Sequence, residues 1–175
     1  MMSRAVVVAT TVAFAVASLL FSLQAAPVAG GAAGEYSKHF GALNKLSISV
    51  AQAMPAAQYR FRPHTESMDF GQLMVHIATT NYQFCAGLKD SDPPELPSPG
   101  AKDSVVKFLS DSFDYCSAVI PSLTAEQLGQ THNSPDGRLP AREILLAMYV
   151  HVAHHRGQAE IYLRDQGIRP PAYMI

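Results

Sequence analysis

Apolar side chains recur at every third or fourth position along four stretches of the chain, which is the spacing of a helix that buries one face. The first stretch covers residues 35–54, and the second begins after Ser67 or Asp69, either of which can cap a helix. The other two span about residues 102–120 and 140–166. No strand pattern of comparable length accompanies them. The pattern therefore predicts an all-α fold, a four-helix bundle.

The segments between these helices are rich in turn residues. Residues 90–100 are dense in proline and must form a loop, and residues 132–137 also carry a turn composition. Thr124 and Gln127 have the spacing of a capping box, which predicts one short helical turn. Gly167 follows the last stretch at the position where glycine commonly ends a helix.

The N-terminus has the layout of an export signal. Arg4 supplies a positive charge, residues 5–23 are apolar, and small residues follow. We therefore predict a signal peptide over residues 1–26, a flexible glycine- and alanine-rich linker over residues 27–34, and the bundle over residues 35–175. The alternative is an uncleaved membrane anchor, because the apolar run approaches the ~20 residues that span a bilayer.

Both interpretations place the folded part of the chain outside the cytoplasm, in the periplasm or the extracellular space. Membrane contact is then expected only through an uncleaved N-terminus. In an oxidising compartment a disulfide between Cys85 and Cys116 is permitted. Both cysteines fall within predicted helices, where a free cysteine is also a common core residue. The sequence leaves the two states open.

The charge balance excludes one class of partner. The chain carries 13 basic and 14 acidic residues, a net charge of −1 at pH 7. It has no basic stripe and no DNA- or RNA-binding signature, so we expect no nucleic-acid partner. Apolar helices can also pair between chains, so a homodimer is compatible with the sequence, although nothing in it argues for one directly.

Three histidines form the strongest chemical signal. His151 and His155 stand four residues apart, so their imidazoles lie on the same face of the last helix and can converge on one ion. His154 points in a neighbouring direction and is expected at the surface or in an outer shell of the site. Far upstream, His76 borders the apolar stripe of the second helix. Three imidazoles with an open fourth position would make a reactive metal site.

Several other metal and cofactor sites are excluded by their missing motifs. The chain lacks the His-Glu-x-x-His pattern of a metalloprotease and the Cys-x-x-Cys-His pattern of covalent haem. No glycine-rich phosphate loop is present. No carboxylate stands beside the three histidines at an obvious general-base spacing, so the sequence does not reveal a catalytic residue.

Two segments also resemble a known family. They are FGQLMVHIA at residues 70–78 and HVAHHRGQAEIYLRDQGIRPP at residues 151–171. Together they look like the DinB-like family of metal-binding four-helix bundles, and the similarity covers almost all of residues 35–175. The resemblance implies that one histidine on the second helix and two on the last hold a divalent ion. Carried over to this chain, these ligands are His76, His151 and His155.

The identity of the metal and the type of reaction follow less directly from the resemblance than the ligand residues do. Histidine-only ligation suits zinc, nickel or iron, so the identity of the divalent ion stays open. Related families use such a site for thiol-dependent transfer or isomerisation. The resemblance therefore implies a small-molecule substrate and either metal-dependent hydrolysis or thiol-dependent transfer. The alternative is a non-catalytic exported bundle that binds metal or serves as an interaction module, which the missing general base and the compartment favour.

Residues near the last two histidines carry further expectations. Arg156 is expected to pair with Glu160, four residues on. Gly157 in mid-helix costs ~1 kcal/mol relative to alanine, which suggests close approach of another helix. Gln158 either accepts a hydrogen bond from a ligand imidazole or caps a buried polar group. Tyr162 is expected in the core.

The other histidines and two neighbours of His76 are assigned to the surface. His39, His64 and His132 fall near the linker or in loops, and we expect all three to be solvated. Asn81 and Tyr82, just past His76, are expected at helix-surface positions, with the mouth of a cavity beside His76 as the alternative.

Overall fold

The computed structural model describes residues 31–98 and 100–173. The predicted signal peptide, and residues 27–30 of the predicted linker, lie outside this part of the chain. Among the described helices none combines the length and the apolar character that crossing a bilayer requires.

The described residues fold into four long helices, as the apolar pattern predicts. These helices are α1 (Ala32–Ala53), α2 (Phe70–Gly87), α3 (Lys102–Val119) and α4 (Ala141–Asp165). Short 3-10 turns lie at Ala56–Gln58, Ile120–Ser122 and Gln127–Gly129. Helix α1 begins at Ala32, so residues 32–34, which we expected in the linker, are helical. Each helix packs mainly on two others, in the cyclic order α1, α3, α2, α4.

The start of α2 is fixed by a reciprocal cap. The Asp69 side chain accepts a hydrogen bond from the Gln72 backbone N–H at 2.8 Å, and the Gln72 side chain accepts one from the Asp69 N–H at 2.9 Å. Such a box satisfies backbone donors that the first turn would otherwise leave unpaired, and losing the cap residue typically costs about 1 kcal/mol. The cap matters for the site because the residue at which α2 begins determines where His76 lies along the helix.

Large apolar side chains from all four helices meet in one core. The most completely buried of them include Phe40, Phe70, Leu109, Phe113, Ile144 and Met148, each at most 1% exposed. Within that core Cys85 of α2 and Cys116 of α3 form a disulfide, which answers the question that the sequence left open. The bond closes a loop across 31 residues of sequence separation, and such cross-links typically stabilise a fold by about 2–4 kcal/mol.

A β-hairpin covers the end of the bundle at the C-terminus of α2. Strands β1 (Thr131–Ser134) and β2 (Gly137–Pro140) pair antiparallel around a two-residue turn. The turn composition was recognised in the sequence, but four-residue strands are too short to show a clear period. The hairpin packs so closely that a Cβ on Gly87 would lie 2.0 Å from the Asn133 carbonyl oxygen. Only glycine fits at that position in this arrangement.

His132 is buried beneath this hairpin, so the prediction that it is solvated is wrong. Its side chain points inward from β1, and the residue is 6% exposed. The Nδ1 atom lies 3.0 Å from an Asp90 carboxylate oxygen, while the buried Nε2 atom has no hydrogen-bond partner among the described residues. His39 and His64 are exposed, as predicted.

Candidate metal centre

The packing of α2 against α4 brings together the three histidines that the sequence singled out. His76 comes from α2, while His151 and His155 come from successive turns of α4. The His76 Nε2 atom lies 3.0 Å from the Nε2 of His151 and 3.1 Å from the Nε2 of His155. Within the described part of the chain, these three residues are the group whose potential ligand atoms lie close enough together, within 4.8 Å, to share one metal ion.

This spacing fits a divalent ion bound by three imidazoles. Zinc binds imidazole nitrogen at about 2.0–2.1 Å, so two nitrogens on a tetrahedral ion lie about 3.3 Å apart. The observed separations of 3.0 and 3.1 Å need to widen by only a few tenths of an ångström. Three protein ligands also leave the fourth tetrahedral position free for water or substrate.

Hydrogen bonding among the three rings cannot satisfy them as well as a shared cation would. The Nδ1 atom of His155 lies 2.8 Å from the Gln158 carbonyl oxygen, so Nδ1 carries the proton and Nε2 presents a lone pair in the neutral ring. A single N–H on His76 can point at only one of its two neighbours. At least one of the short Nε2 contacts therefore lacks a well-aligned proton, and a metal ion at the centre would remove that conflict.

The rings are also held in the neutral form that metal ligation needs. The pKa of His151 is lowered to about 4, mainly by burial and to a smaller extent by the neighbouring His155, His76 and His154. Burial also lowers the pKa of His76, helped by the neighbouring His155. For His155, burial lowers the pKa although the hydrogen bond to Gln158 acts in the opposite direction. All three imidazoles are thus ready to donate lone pairs at neutral pH.

Open clefts reach the histidines from two sides. One cleft of about 500 Å³ is lined by His76 together with Arg60, Gln72 and Thr79, and also by apolar side chains such as Leu96. A second cleft of about 440 Å³ is lined by His155 and Gln158, together with Glu66, Met68, Leu73 and Tyr162. Open space for a small molecule therefore lies beside His76 and beside His155, on either side of the histidine group.

No carboxylate joins the three ligands in the part of the chain that the structure describes. Asp69 lines the first cleft, but its side chain caps α2 and lies 3.6 Å from Arg62. Glu66 lines the second cleft and is exposed. The site thus has three candidate ligands with open clefts beside them, whereas a nearby acid or base is not apparent among the described side chains.

The neighbours on α4 fall mostly where the sequence placed them. His154 is exposed, and its Nε2 lies 3.1 Å from the Gln158 amide nitrogen. Gln158 therefore bridges His154 and His155, which decides between its two predicted roles. Arg156 pairs with Glu160 at 2.7 Å, as predicted. Tyr162 is buried, and its hydroxyl donates to the Met68 carbonyl.

Three expectations about nearby residues are wrong. Asn81 and Tyr82 are buried because α2 is covered by α3 and α4 over most of its circumference. Asn81 donates to the Ser112 hydroxyl of α3, and Tyr82 stacks on Phe108. No other helix approaches Gly157, since a Cβ built there meets no described atom within 4 Å.

Comparison with known proteins gives one consistent result. The model of the DinB superfamily matches residues 40–159, which include all three histidines. An uncharacterised protein of Bacillus subtilis, YjoA, is 24% identical over 134 residues, covering 74% of this chain and 87% of its own.

Solved structures agree on the fold. The crystal structure of the DinB-like YjoA of Bacillus subtilis superposes with a TM-score of 0.69 at 22% identity, covering 80% of this chain and 98% of that one. A DinB-like protein from Bacillus cereus also gives a TM-score of 0.69, at 14% identity, covering 79% and 95%. A conserved protein from Enterococcus faecalis gives 0.61 at 16% identity, covering 76% and 95%. At such identities the likeness concerns the fold, and function has to be argued from the site.

Proposed function

The chain belongs to the DinB superfamily, and on that premise we propose that it binds one divalent transition-metal ion through His76, His151 and His155. The observation that carries the proposal is the convergence of three Nε2 atoms from two helices, with separations of 3.0 and 3.1 Å. The lowered pKa values of the three rings support it, because they favour the unprotonated ligand form.

Neighbouring residues of this chain would hold the ligand histidines in position around the ion. The side-chain oxygen of Gln158 accepts a hydrogen bond from the Nδ1–H of His155 and so keeps the Nε2 lone pair aimed inward. His151 is held by packing, with its Nδ1 buried and the Phe84 ring centroid 6.2 Å from its own. When bound, such an ion supplies Lewis-acid activation of a water molecule or a thiol in its open position.

We further propose that the site acts on a small molecule, by metal-assisted hydrolysis or by thiol-dependent transfer. In both reactions a metal held by the three histidines would supply the activation of the nucleophile, water or thiol, that no carboxylate among the ligand residues provides. The clefts beside His76 and His155 provide the space for a substrate. The class of the ion, zinc, nickel or iron, is part of the question to be tested.

Export of the protein completes the proposal. The apolar run of residues 5–23 after Arg4 supports it, as does the disulfide between Cys85 and Cys116, because disulfides persist mainly in oxidising compartments. Fractionation of the native host, with mass determination of the recovered chain, tests this part. Recovery of an intact chain from the cytoplasm would contradict it.

Metal content is the first measurement. The full chain, purified without a histidine tag, is expected to carry or take up about one equivalent of zinc, nickel or iron by elemental analysis. His151→Ala should bind far less, whereas His39→Ala, which removes an exposed histidine of α1, should match the parent. A parent that takes up none of the three metals, or an equal loss in the two variants, would refute the metal site.

Turnover is the second measurement. The metal-loaded protein is tested against panels of esters, amides and thiol-transfer substrates, with and without a chelator. Activity that disappears on chelation and returns with one metal would establish the enzyme. Metal binding with no turnover on any panel would favour the non-catalytic metal-binding bundle, which the missing adjacent carboxylate also favours.

A further inference from the structure

The outer face of α4 carries an apolar seam that no described part of the chain covers. Five large apolar residues are prominently exposed among the described residues, namely Met68, Leu146, Val150, Ile161 and Tyr173. Three of them, Leu146, Val150 and Ile161, are 60%, 61% and 53% exposed and lie on this one helix. On a helix with 3.6 residues per turn, they fall within an arc of about 60°. That grouping distinguishes them from apolar residues scattered singly over a surface.

Two charged residues and one glycine extend the seam along the same arc. Glu143 lies at its N-terminal end, Arg164 at its C-terminal end and Gly157 between them. The seam is therefore defined as Glu143, Leu146, Val150, Gly157, Ile161 and Arg164. Successive members are separated by 3, 4, 7, 4 and 3 residues, a series that reads the same in both directions.

A palindromic spacing has a specific meaning for a helix that meets a second copy of itself. When two identical helices pack antiparallel about a two-fold axis, each residue meets the one equally far from the centre on the other side. In this seam the centre falls between Ala153 and His154. Helix periodicity gives this symmetry to any narrow arc, so the series only allows every member to align with another member, and the identities of the paired residues decide whether a second copy fits.

The paired members are complementary in charge. Glu143 of one copy would lie opposite Arg164 of the other, at both ends of the seam. Glu143 forms no ion pair within the described part of the chain. Arg164 lies 3.7 Å from Glu160, but that carboxylate is already held by Arg156 at 2.7 Å, and the Arg164 side chain remains 54% exposed.

The paired members are also complementary in size. Leu146 would pack against Ile161, and Val150 would lie over Gly157. A glycine within a helix is unfavourable relative to alanine. Nothing in the described chain explains it here, since a Cβ on Gly157 would meet no described atom within 4 Å. A Val150 side chain from a second copy would occupy that space.

We propose that the protein forms a homodimer through antiparallel pairing of its two α4 helices along this seam. The apolar residues 5–23 of the same chain are a weaker occupant, because they carry no charge to match Glu143 and Arg164. His151 and His155 point about a third of a helical turn away from the seam, so pairing does not involve their imidazoles. Ile161 is shared, because it also lines the cleft beside His155.

The association is tested by sedimentation velocity of the full chain over a range of concentrations. The parent should sediment as a dimer at concentrations where Val150→Arg, which places like charges near the centre, is monomeric. Ala118→Arg introduces the same charge at an exposed position of α3 and should remain dimeric. Circular dichroism checks that helix content is retained, and metal uptake should be equal in all three proteins.

Charge reversal tests the antiparallel register. Glu143→Arg and Arg164→Glu should each weaken the dimer at least about tenfold, because each places like charges at both ends of the seam. The double variant restores opposite charges across the two-fold axis and should recover most of the parent's affinity. A monomeric parent, a dimeric Val150→Arg variant, or a double variant no better than either single one would overturn the proposal.

Discussion

Histidine side chains are buried or half-buried at two places in the protein, and their surroundings differ. Between α2 and α4, the three site histidines are half-buried and face one another with Nε2 contacts of 3.0 and 3.1 Å. Under the β-hairpin, His132 is more completely buried, but its Nδ1 lies 3.0 Å from the Asp90 carboxylate. Between α2 and α4, the nitrogen atoms of three imidazoles face one another, whereas under the hairpin a single imidazole contacts a single carboxylate.

This difference separates a ligand set from a structural contact. The His132 ring joins β1 to the residue just beyond α2, where Asp90 adopts a left-handed backbone conformation with φ of 49°. Aspartate tolerates that conformation better than most residues do. The site histidines have no such carboxylate among the described residues, so in the proposed site a bound metal ion would take the place of the acidic partner that His132 finds in Asp90. Burial alone therefore does not distinguish the two places, and the proposed metal site rests on the convergence of nitrogen atoms.

The largest expected effect is on zinc affinity, which should depend on the histidines between α2 and α4 but not on His132 under the hairpin. His151→Ala should lower the affinity of the protein for zinc by more than about 100-fold, because it removes a ligand, and outer-shell changes alone often cost 10–100-fold. His132→Ala should leave zinc affinity unchanged but lower the free energy of unfolding by about 1–2 kcal/mol, through its lost hydrogen bond and packing. Competition with a chromophoric chelator and urea denaturation measure the two quantities. Equal losses of zinc affinity in the two variants would show that His151 is no more a metal ligand than His132.

A second test targets the contact that buries His132. Gly87→Ala should lower the free energy of unfolding by about 2–3 kcal/mol, since its Cβ would lie 2.0 Å from a backbone oxygen of β1 and the hairpin must shift. Gly41→Ala is the matched control, because a Cβ there meets nothing within 4 Å and alanine favours the helix by about 1 kcal/mol. Urea denaturation should show opposite signs for the two variants. Two stabilised variants would mean that the hairpin does not pack as closely on α2 as described.

The two places also differ in how far the sequence could predict them. His151 and His155 could be predicted as a pair from their four-residue spacing, since helix geometry alone puts them on one face. His76 could be assigned with them because its helix is signalled by a clear apolar stripe. The four helices followed from the same periodicity, and the disulfide was correctly left open, because spacing within two separate helices does not fix the distance between them.

The rest depends on tertiary contacts that no local pattern records. The sequence places His132 in a loop, and its burial becomes visible only once the hairpin packs on α2. Gly87 gives no usable signal in the sequence, because it is the last residue of α2, where glycine is common for other reasons. Gly157 shows a second case, because an interior helix glycine predicted the close approach of a helix that the described residues do not supply. Asn81 was placed at the surface since the number of helices covering α2 is a property of the assembled bundle.

A smaller effect is expected at the residue that orients one ligand. Gln158→Ala should lower zinc affinity about tenfold, because the His155 Nδ1 proton loses its acceptor and the ring its fixed orientation. His154→Ala removes the other partner of Gln158 and should change the affinity much less, since His154 does not contact the ion position directly. Chelator competition again measures both variants. A larger loss in His154→Ala would instead assign His154 to the ligand set.

The smallest effect concerns pH in the metal-free protein. The pKa of His151 is about 4 in the folded protein against 6.5 ordinarily, mainly because of burial, so the unfolded chain binds more protons between these values. The free energy of unfolding should therefore be insensitive to this group above about pH 6.5 and should fall as the pH drops from there towards 4. Urea denaturation of the chelator-treated parent and His151→Ala at pH 7.5 and 5 isolates the contribution. The parent should lose more stability than the variant, while His39→Ala should follow the parent. Parallel losses in all three proteins would show that the His151 imidazole is solvated, which would remove the electrostatic difference between the site histidines and an ordinary surface histidine.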